Sequence, residues 1–291
     1  MRNWLISVPV WGPKYVKTFV EEAVPALRAA LAGFPEPHRF LIHTNDPTRI
    51  NAALAGFDVD IQPVSQKPTY IALQEGHADA VARAKIGEAV VLLNADLVVS
   101  RNMFTSCAAH LDAGDLAIVL VGIRTDPKGN EVPKGAPARE LLEWAWEYRH
   151  RIIQDLEWGT GASMLPTNLF FVKGHNVVVR GFHLHPIAIL KTKDIPFKST
   201  IDGDLLDHFA RERIHVVVDP DDMSMLEISE PTRRFPVGRM LNPAAVAASM
   251  RSRASPLHKW LFTHRIVIRG TGEGCGDDAI SHAVLARLGG V

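Results

Sequence analysis

The residues best placed to do chemistry stand at the end of an apolar run. Gly87-Glu88 leads into Ala89-Val90-Val91-Leu92-Leu93, and then come Asn94-Ala95-Asp96. Five apolar residues after a Gly-Glu turn read as a strand buried on both faces. Ligands of open α/β sheets lie outside the carboxyl ends of the strands. Asn94 and Asp96 therefore stand where a divalent cation or a sugar hydroxyl would be held. Pro9-Val10-Trp11 closes an earlier apolar run, Trp4 to Val10, and the Trp11 ring offers a face for stacking on a base or sugar. Asn45-Asp46 follows a third run, Arg39 to His43. Asp46 could bind a base or ribose there, although the turn Asn-Asp-Pro explains the same residues without a ligand.

Further candidates lie later in the chain. In His183-Leu184-His185-Pro186 the two imidazoles would share a face if the backbone were extended, and could share a metal or flank an acceptor hydroxyl. Thr200-Ile201-Asp202-Gly203-Asp204 precedes a predicted helix over 203–213. Asp202 suits its N-cap, and Asp204 suits a first turn, where the macrodipole favours negative charge. The Asp219-Pro220-Asp221-Asp222 cluster reads as turn chemistry. Gly270 to Gly276 is glycine-rich but lacks the Gly-Lys-Ser/Thr ending of a phosphate-binding loop, so it reads as a flexible connection. His264, Arg265 and Arg269 beside it could meet a diphosphate.

These residues need a scaffold. Strands are predicted at 4–10, 39–43, 59–64, 88–94 and 116–122, with helices at 14–32, 48–55, 70–86 and 101–112 between them. Pro25 would kink or restart the first helix. Strand and helix alternating over about 120 residues imply a mostly parallel sheet flanked by helices. The second half is less regular. A long amphipathic helix is expected over 137–157, strands at 169–172, 176–180 and 214–218, and a tail helix over 243–264 broken by Pro256. The fold class is α/β with a mixed C-terminal elaboration. The halves 1–125 and 126–291 read as one domain, since no linker, repeat or low-complexity tract separates them.

Composition narrows the function. The 291 residues are 47% hydrophobic, enough for a sizeable core, and 32 basic side chains balance 32 acidic ones. That balance argues against a nucleic-acid partner. The two cysteines, Cys107 and Cys275, have no metal-binding spacing and suit a reducing cytoplasm. No apolar run approaches the ~18 residues of a membrane span. Arg251, Arg253, Lys259 and Arg265 surround Trp260-Leu261-Phe262, so peripheral contact with the inner face of a membrane is the most that membrane association would amount to.

The first half, about residues 3–125, resembles the GT-A glycosyltransferases, especially the family 2-like group. The likeness rests on the strand and Pro-rich loop Ser7-Val8-Pro9-Val10-Trp11, the helical pair Ala82-Arg83, the turn Gly87-Glu88, and Asn94-Ala95-Asp96 at the place of an Asp-x-Asp. It implies a nucleotide-sugar donor held by Pro9, Val10, Trp11, Asp46, Asn94 and Asp96. It implies a divalent cation, Mn²⁺ or Mg²⁺, on Asp96 with His185, and an acceptor side lined by His183 and His185. It implies an inverting transfer to a glycan or lipid-linked acceptor, with Asp204 or Asp202 as the base. Asn94 replaces the first acid, which lowers the expected affinity for a hard cation. Two other readings fit the same residues: a metal-dependent hydrolase or nucleotidyltransferase, and a non-catalytic nucleotide- or sugar-binding domain.

Overall fold

The run Trp4–Val10 forms strand β1, and all seven of its residues are buried. A strand covered on both faces belongs in the middle of a sheet, and β1 lies between β4 (Ala89–Leu92) and β2 (His38–Thr44). β3 (Val59–Pro63) adds beyond β2. These four strands run parallel, with Trp4 opposite His38 and Ala89, and Ser7 opposite Leu41 and Leu92. The computed structural model describes residues 1–65, 69–196, 198, 200–229 and 238–290. The chain divides into two units, and 185–215 returns to the first of them.

The first unit comprises Met1–Leu120, Lys134–Ala136 and His185–His215. After β4 a turn at Ala95-Asp96 leads to the short β5 (Leu97–Val99). On the far side of β4 the strand His185–Leu190 runs antiparallel to it and to β6 (Ala117–Leu120), and Ile214–Val216 closes the edge of the seven-stranded sheet. This is the mostly parallel, helix-flanked α/β arrangement that the alternation of strands and helices predicts. The first helix runs as α1 (Pro13–Thr18), a π-helical turn over Phe19–Ala23, and α2 (Val24–Leu31). Pro25 is absorbed in the first turn of α2. α3 (Pro47–Ala53), α4 (Thr69–Arg83) and α5 (Met103–Ala113) follow close to their predicted places.

The second unit comprises Val121–Pro133, Pro137–Leu184 and Val216–Val291. Strands Asn168–Lys173 and Asn176–Gly181 form an antiparallel pair that Ile266–Arg269 extends. Gly122–Thr125 runs parallel to Met225–Ile228. Phe182 stacks on Phe262 at 4.0 Å in a core with Leu169, Phe171, Val246, Met250 and Val284. The buried Arg180 guanidinium meets Asp277 at 2.7 Å, and Arg265 reaches the same carboxylate at 3.3 Å.

The tail splits into Pro243–Met250 and Pro256–Phe262, the break that Pro256 predicts. Two sequence expectations change. The helix over 137–157 stops at Glu147 and resumes at Arg151, where the His150 side chain accepts from the Ile152 amide. The segment 203–213 is two short 3₁₀ turns, Leu205–His208 and Arg211–Arg213, rather than one α-helix. Among the described residues no helix is long and apolar enough to cross a membrane.

One packing contact sets the position of α4. A Cβ on Gly76 would lie 2.7 Å from Pro9 Cγ and 3.3 Å from His43 Nδ1. Alanine in a helix interior normally gains about 1 kcal/mol over glycine. Here the rigid proline ring leaves the new methyl no space. Gly76→Ala is expected to destabilise the protein by about 1–3 kcal/mol, as overpacking does. Chemical denaturation checks this, and an equal or higher midpoint would show that α4 can back away from β1.

Candidate active site

The strand order turns beside β1: β2 and β3 continue to one side and β4 lies on the other. Such a switch point opens a crevice at the carboxyl ends of the flanking strands. Ser7 stands on β1 at this edge, His43 and Thr44 end β2, and Asn94 to Asp96 follow β4. His185 begins its strand at the same edge because that strand is antiparallel, and its Nε2 lies 2.7 Å from the Leu92 carbonyl. Ser7, His43, Thr44 and Asp96 are all buried.

Helix α4 lays three further residues over this edge. Its buried His77 places Nδ1 3.1 Å from Ser7 Oγ. Asp79 Oδ2 lies 3.0 Å from His43 Nε2 and 2.8 Å from Arg83 Nε. Asp79 therefore holds the proton of His43 on Nε2, leaving Nδ1 as the acceptor. Arg83, one of the residues carrying the family likeness, thus orients His43 through a carboxylate.

Burial chiefly, then the neighbouring His185, lowers the His77 pKa from 6.5 to about 3, and His43 adds to the effect. Asn94 is close enough to pull it partly the other way. His77 is neutral at pH 7, and the tautomer that serves both neighbours accepts from Ser7 and turns Nε2–H toward Asn94. Neither His77 Nε2 nor Asn94 Oδ1 reaches full hydrogen-bond geometry with a protein partner. His43 Nδ1 is the third buried side-chain atom at this edge in that condition. Buried polar atoms are nearly always satisfied, so the unsatisfied His43 Nδ1 beside the loosely matched His77–Asn94 pair makes this edge a candidate for a polar ligand.

The predicted site residues are distributed as follows. Pro9 and Val10 are buried in β1, which leaves their backbone to face a ligand, while Trp11 is partly exposed with its ring 6.4 Å from Tyr15. Asn45 Oδ1 accepts from the Gly12 amide at 3.2 Å, tying the loop after β1 to the loop after β2. Asp46 caps α3, accepting from the Arg49 amide at 3.2 Å. Asp204 heads the 3₁₀ turn Leu205–His208 without capping it; its Oδ2 accepts from the Lys198 amide at 2.9 Å. Asp202, two residues earlier, does not occupy the N-cap position. His183 and His185 do not share one extended strand. A bend holds His183 in the second unit, where its ring stacks on His258 at 4.3 Å.

Sequence reasoning missed His43, His77 and Gly76. A glycine and a histidine side by side in the predicted helix 70–86 were the available signal, because a glycine inside a helix usually marks a close approach. For a metal, the edge offers one buried carboxylate, Asp96, and the orphaned amide oxygen of Asn94. That set suits a cation held largely by the phosphates of a substrate. His185 is a weaker candidate through Nε2, which is directed at the Leu92 carbonyl.

No protein-family model and no curated protein matches the chain. Several solved structures are similar to it. Residues 1–349 of TarS from S. aureus align at 16% identity with a TM-score of 0.46, over 99% of this chain and 71% of that one. A longer TarS structure is spanned over 43% of its length. The 4-diphosphocytidyl-2C-methyl-D-erythritol synthase from Anaerococcus prevotii aligns at 13% identity with a TM-score of 0.40, over 80% of this chain and 91% of that one. A mycobacterial protein aligns at 19% identity with a TM-score of 0.38, over 87% and 75%.

The depressed His77 pKa makes folding pH-dependent. The unfolded chain takes up this proton below pH 6.5, whereas the folded protein resists it down to about pH 3. The contribution of His77 is therefore complete above pH 6.5 and is lost as pH falls through that window, at about 1.4 kcal/mol per pH unit. Melting temperatures measured from pH 7 to 4 should fall less steeply for His77→Gln than for the wild type. Parallel curves would mean that His77 is protonated in the fold.

Proposed function

We propose that the protein is a glycosyltransferase that moves a sugar from a nucleotide-sugar donor to an acceptor hydroxyl with inversion. The observation that carries this reading is the crevice at the β1–β4 switch point. His77 Nε2 and Asn94 Oδ1 face each other there short of full hydrogen-bond geometry, and His43 Nδ1 is unsatisfied, beside the buried carboxylate of Asp96. All three are on uncharged or neutral-capable side chains, which suits the hydroxyls and amides of a nucleotide sugar better than a bare cation.

In this reading Trp11 stacks on the base or sugar, and the backbone of Pro9 and Val10 and the carboxylate of Asp46 border the nucleotide. Asn94 and Asp96 hold the diphosphate end of the donor. A divalent cation, Mn²⁺ or Mg²⁺, would be held by Asp96 and Asn94, and when bound would neutralise charge on the leaving diphosphate. Asp204 or Asp202 takes the proton of the acceptor hydroxyl as its oxygen attacks the anomeric carbon and the bond to the diphosphate breaks. The hydrogen bond from the Lys198 amide holds the Asp204 carboxylate in place. His185 borders the acceptor side. The acceptor is a glycan or a lipid-linked sugar, reached from the cytoplasmic side.

Thermal shift with UDP, GDP, CMP, dTDP and ADP, each with and without Mn²⁺, tests the reading. One nucleotide should raise the melting temperature well beyond the others. Asp96→Ala should keep the fold and weaken that nucleotide at least about tenfold, the cost of one hydrogen bond to a charged group. Unchanged nucleotide binding by a folded Asp96→Ala protein would falsify the assignment of Asp96.

A further inference from the structure

A second group of ligating side chains lies at the opposite edge of the same sheet. His110 is in the last turn of α5, Asp115 is in the loop that follows, and His215 is on the edge strand Ile214–Val216. β6 starts just after Asp115, where Ala117 pairs with Ile189, whereas its carboxyl end at Leu120 pairs with His185. The group therefore marks the amino end of β6, while His185 marks the edge of the crevice.

Two imidazoles converge on one carboxylate oxygen. Nδ1 of His110 is 3.7 Å from Asp115 Oδ2, and Nδ1 of His215 is 3.8 Å from the same atom. The rings stack with centroids 3.5 Å apart and planes 24° from parallel. One ligating atom from each of the three residues fits within 4.8 Å of the others. The two contacts are too long for hydrogen bonds. They are close to the spacing around a tetrahedral cation, where bonds of ~2.1 Å separate the ligand atoms by about 3.4 Å.

The backbone holds the three residues in place without a metal. The Asp115 amide donates to the His110 carbonyl at 3.1 Å, and the Leu116 amide donates to the Arg213 carbonyl at 2.7 Å. Arg213 Nε donates to the Gly114 carbonyl at 2.5 Å. Gly114, at φ 107, makes the left-handed turn that brings Asp115 back over the end of α5. Residues a hundred positions apart in sequence are thus brought together by main-chain bonds, and an ion would have only to tilt the two stacked rings apart so that the in-plane Nδ1 lone pairs meet it.

We propose that His110, Asp115 and His215 form a binding site for a borderline transition-metal cation, with Zn²⁺ as the best match. Two imidazoles and one carboxylate are the donors such ions prefer, whereas Mg²⁺ takes oxygen ligands. The side chains are 24%, 23% and 27% exposed, so solvent can supply the fourth ligand. The ion would clip the loop after α5 to the last strand of the sheet. In doing so it would anchor the end of the irregular segment that carries Asp202 and Asp204. The site is independent of the donor crevice and does not rest on the glycosyltransferase reading.

Metal-stripped full-length protein titrated with Zn²⁺, and with Co²⁺ as a visible-absorbing probe, tests the proposal. One equivalent should bind, Co²⁺ should develop the absorption of a low-symmetry nitrogen–oxygen site, and the melting temperature should rise with Zn²⁺ concentration. Mg²⁺ should do neither. His215→Gln and Asp115→Asn should each weaken Zn²⁺ by more than the roughly 10–100-fold that loss of a mere supporting residue costs. His175→Gln, at an exposed histidine outside both groups, should bind Zn²⁺ as the wild type does. His110→Gln removes a ligand from a different element, so it serves if His215→Gln does not fold. Failure of the wild type to bind Zn²⁺, or equal binding by folded ligand variants, overturns the site.

Discussion

The close approach of α4 to the carboxyl end of β1 governs the rest of the first unit. Gly76 presents only a hydrogen to the Pro9 ring, and that lets the next residue, His77, reach down to Ser7 in the sheet. Burial then decides the charge state: a fully enclosed imidazole with two other histidines nearby is neutral. The same helix turn supplies Asp79, which fixes the tautomer of His43. A single steric allowance on one helix face thus converts an apolar sheet edge into a neutral, polar crevice.

That neutrality gives the substitution at position 94 a physical meaning. The likeness to GT-A enzymes leads one to expect an acid there, and this chain has Asn94 beside His77. An amide oxygen can accept from the neutral imidazole while its own charge stays zero. Asp96 is the buried carboxylate of this edge, and Asp79 is paired with Arg83. A donor site of this kind would depend on hydrogen bonds to the nucleotide sugar more than on a cation held by several carboxylates.

Much of the first unit was legible because its signals are local. The runs ending at Val10, Thr44, Pro63 and Leu92 are apolar and close on turn residues, and they form strands within a residue or two of their predicted limits. The strand His185–Leu190, central to the sheet, was not read. Pro186 argues against an interior strand because it cannot donate to a ladder, and the structure accommodates it at an irregularity in the register with β6. The helix expected over 203–213 is replaced by 3₁₀ turns, since Gly203 and the surrounding acids favour turns over helix. Asn94 and Asp96 could be found from their place after a strand. For His43 and His77 the only local signal was Gly76 inside the helix, because tertiary packing alone brings a strand residue and a helix residue to the same edge.

The central claim is that a nucleotide occupies the crevice bordered by His43, His77 and Asn94. Imidazole resonances report this directly. In spectra of histidine-labelled protein, titration with the nucleotide that stabilises it should shift the ring signals of His43 and His77 and leave those of His110 and His215 unmoved. Saturable shifts confined to histidines away from the β1–β4 edge, with His43 and His77 unchanged at saturation, would contradict the account.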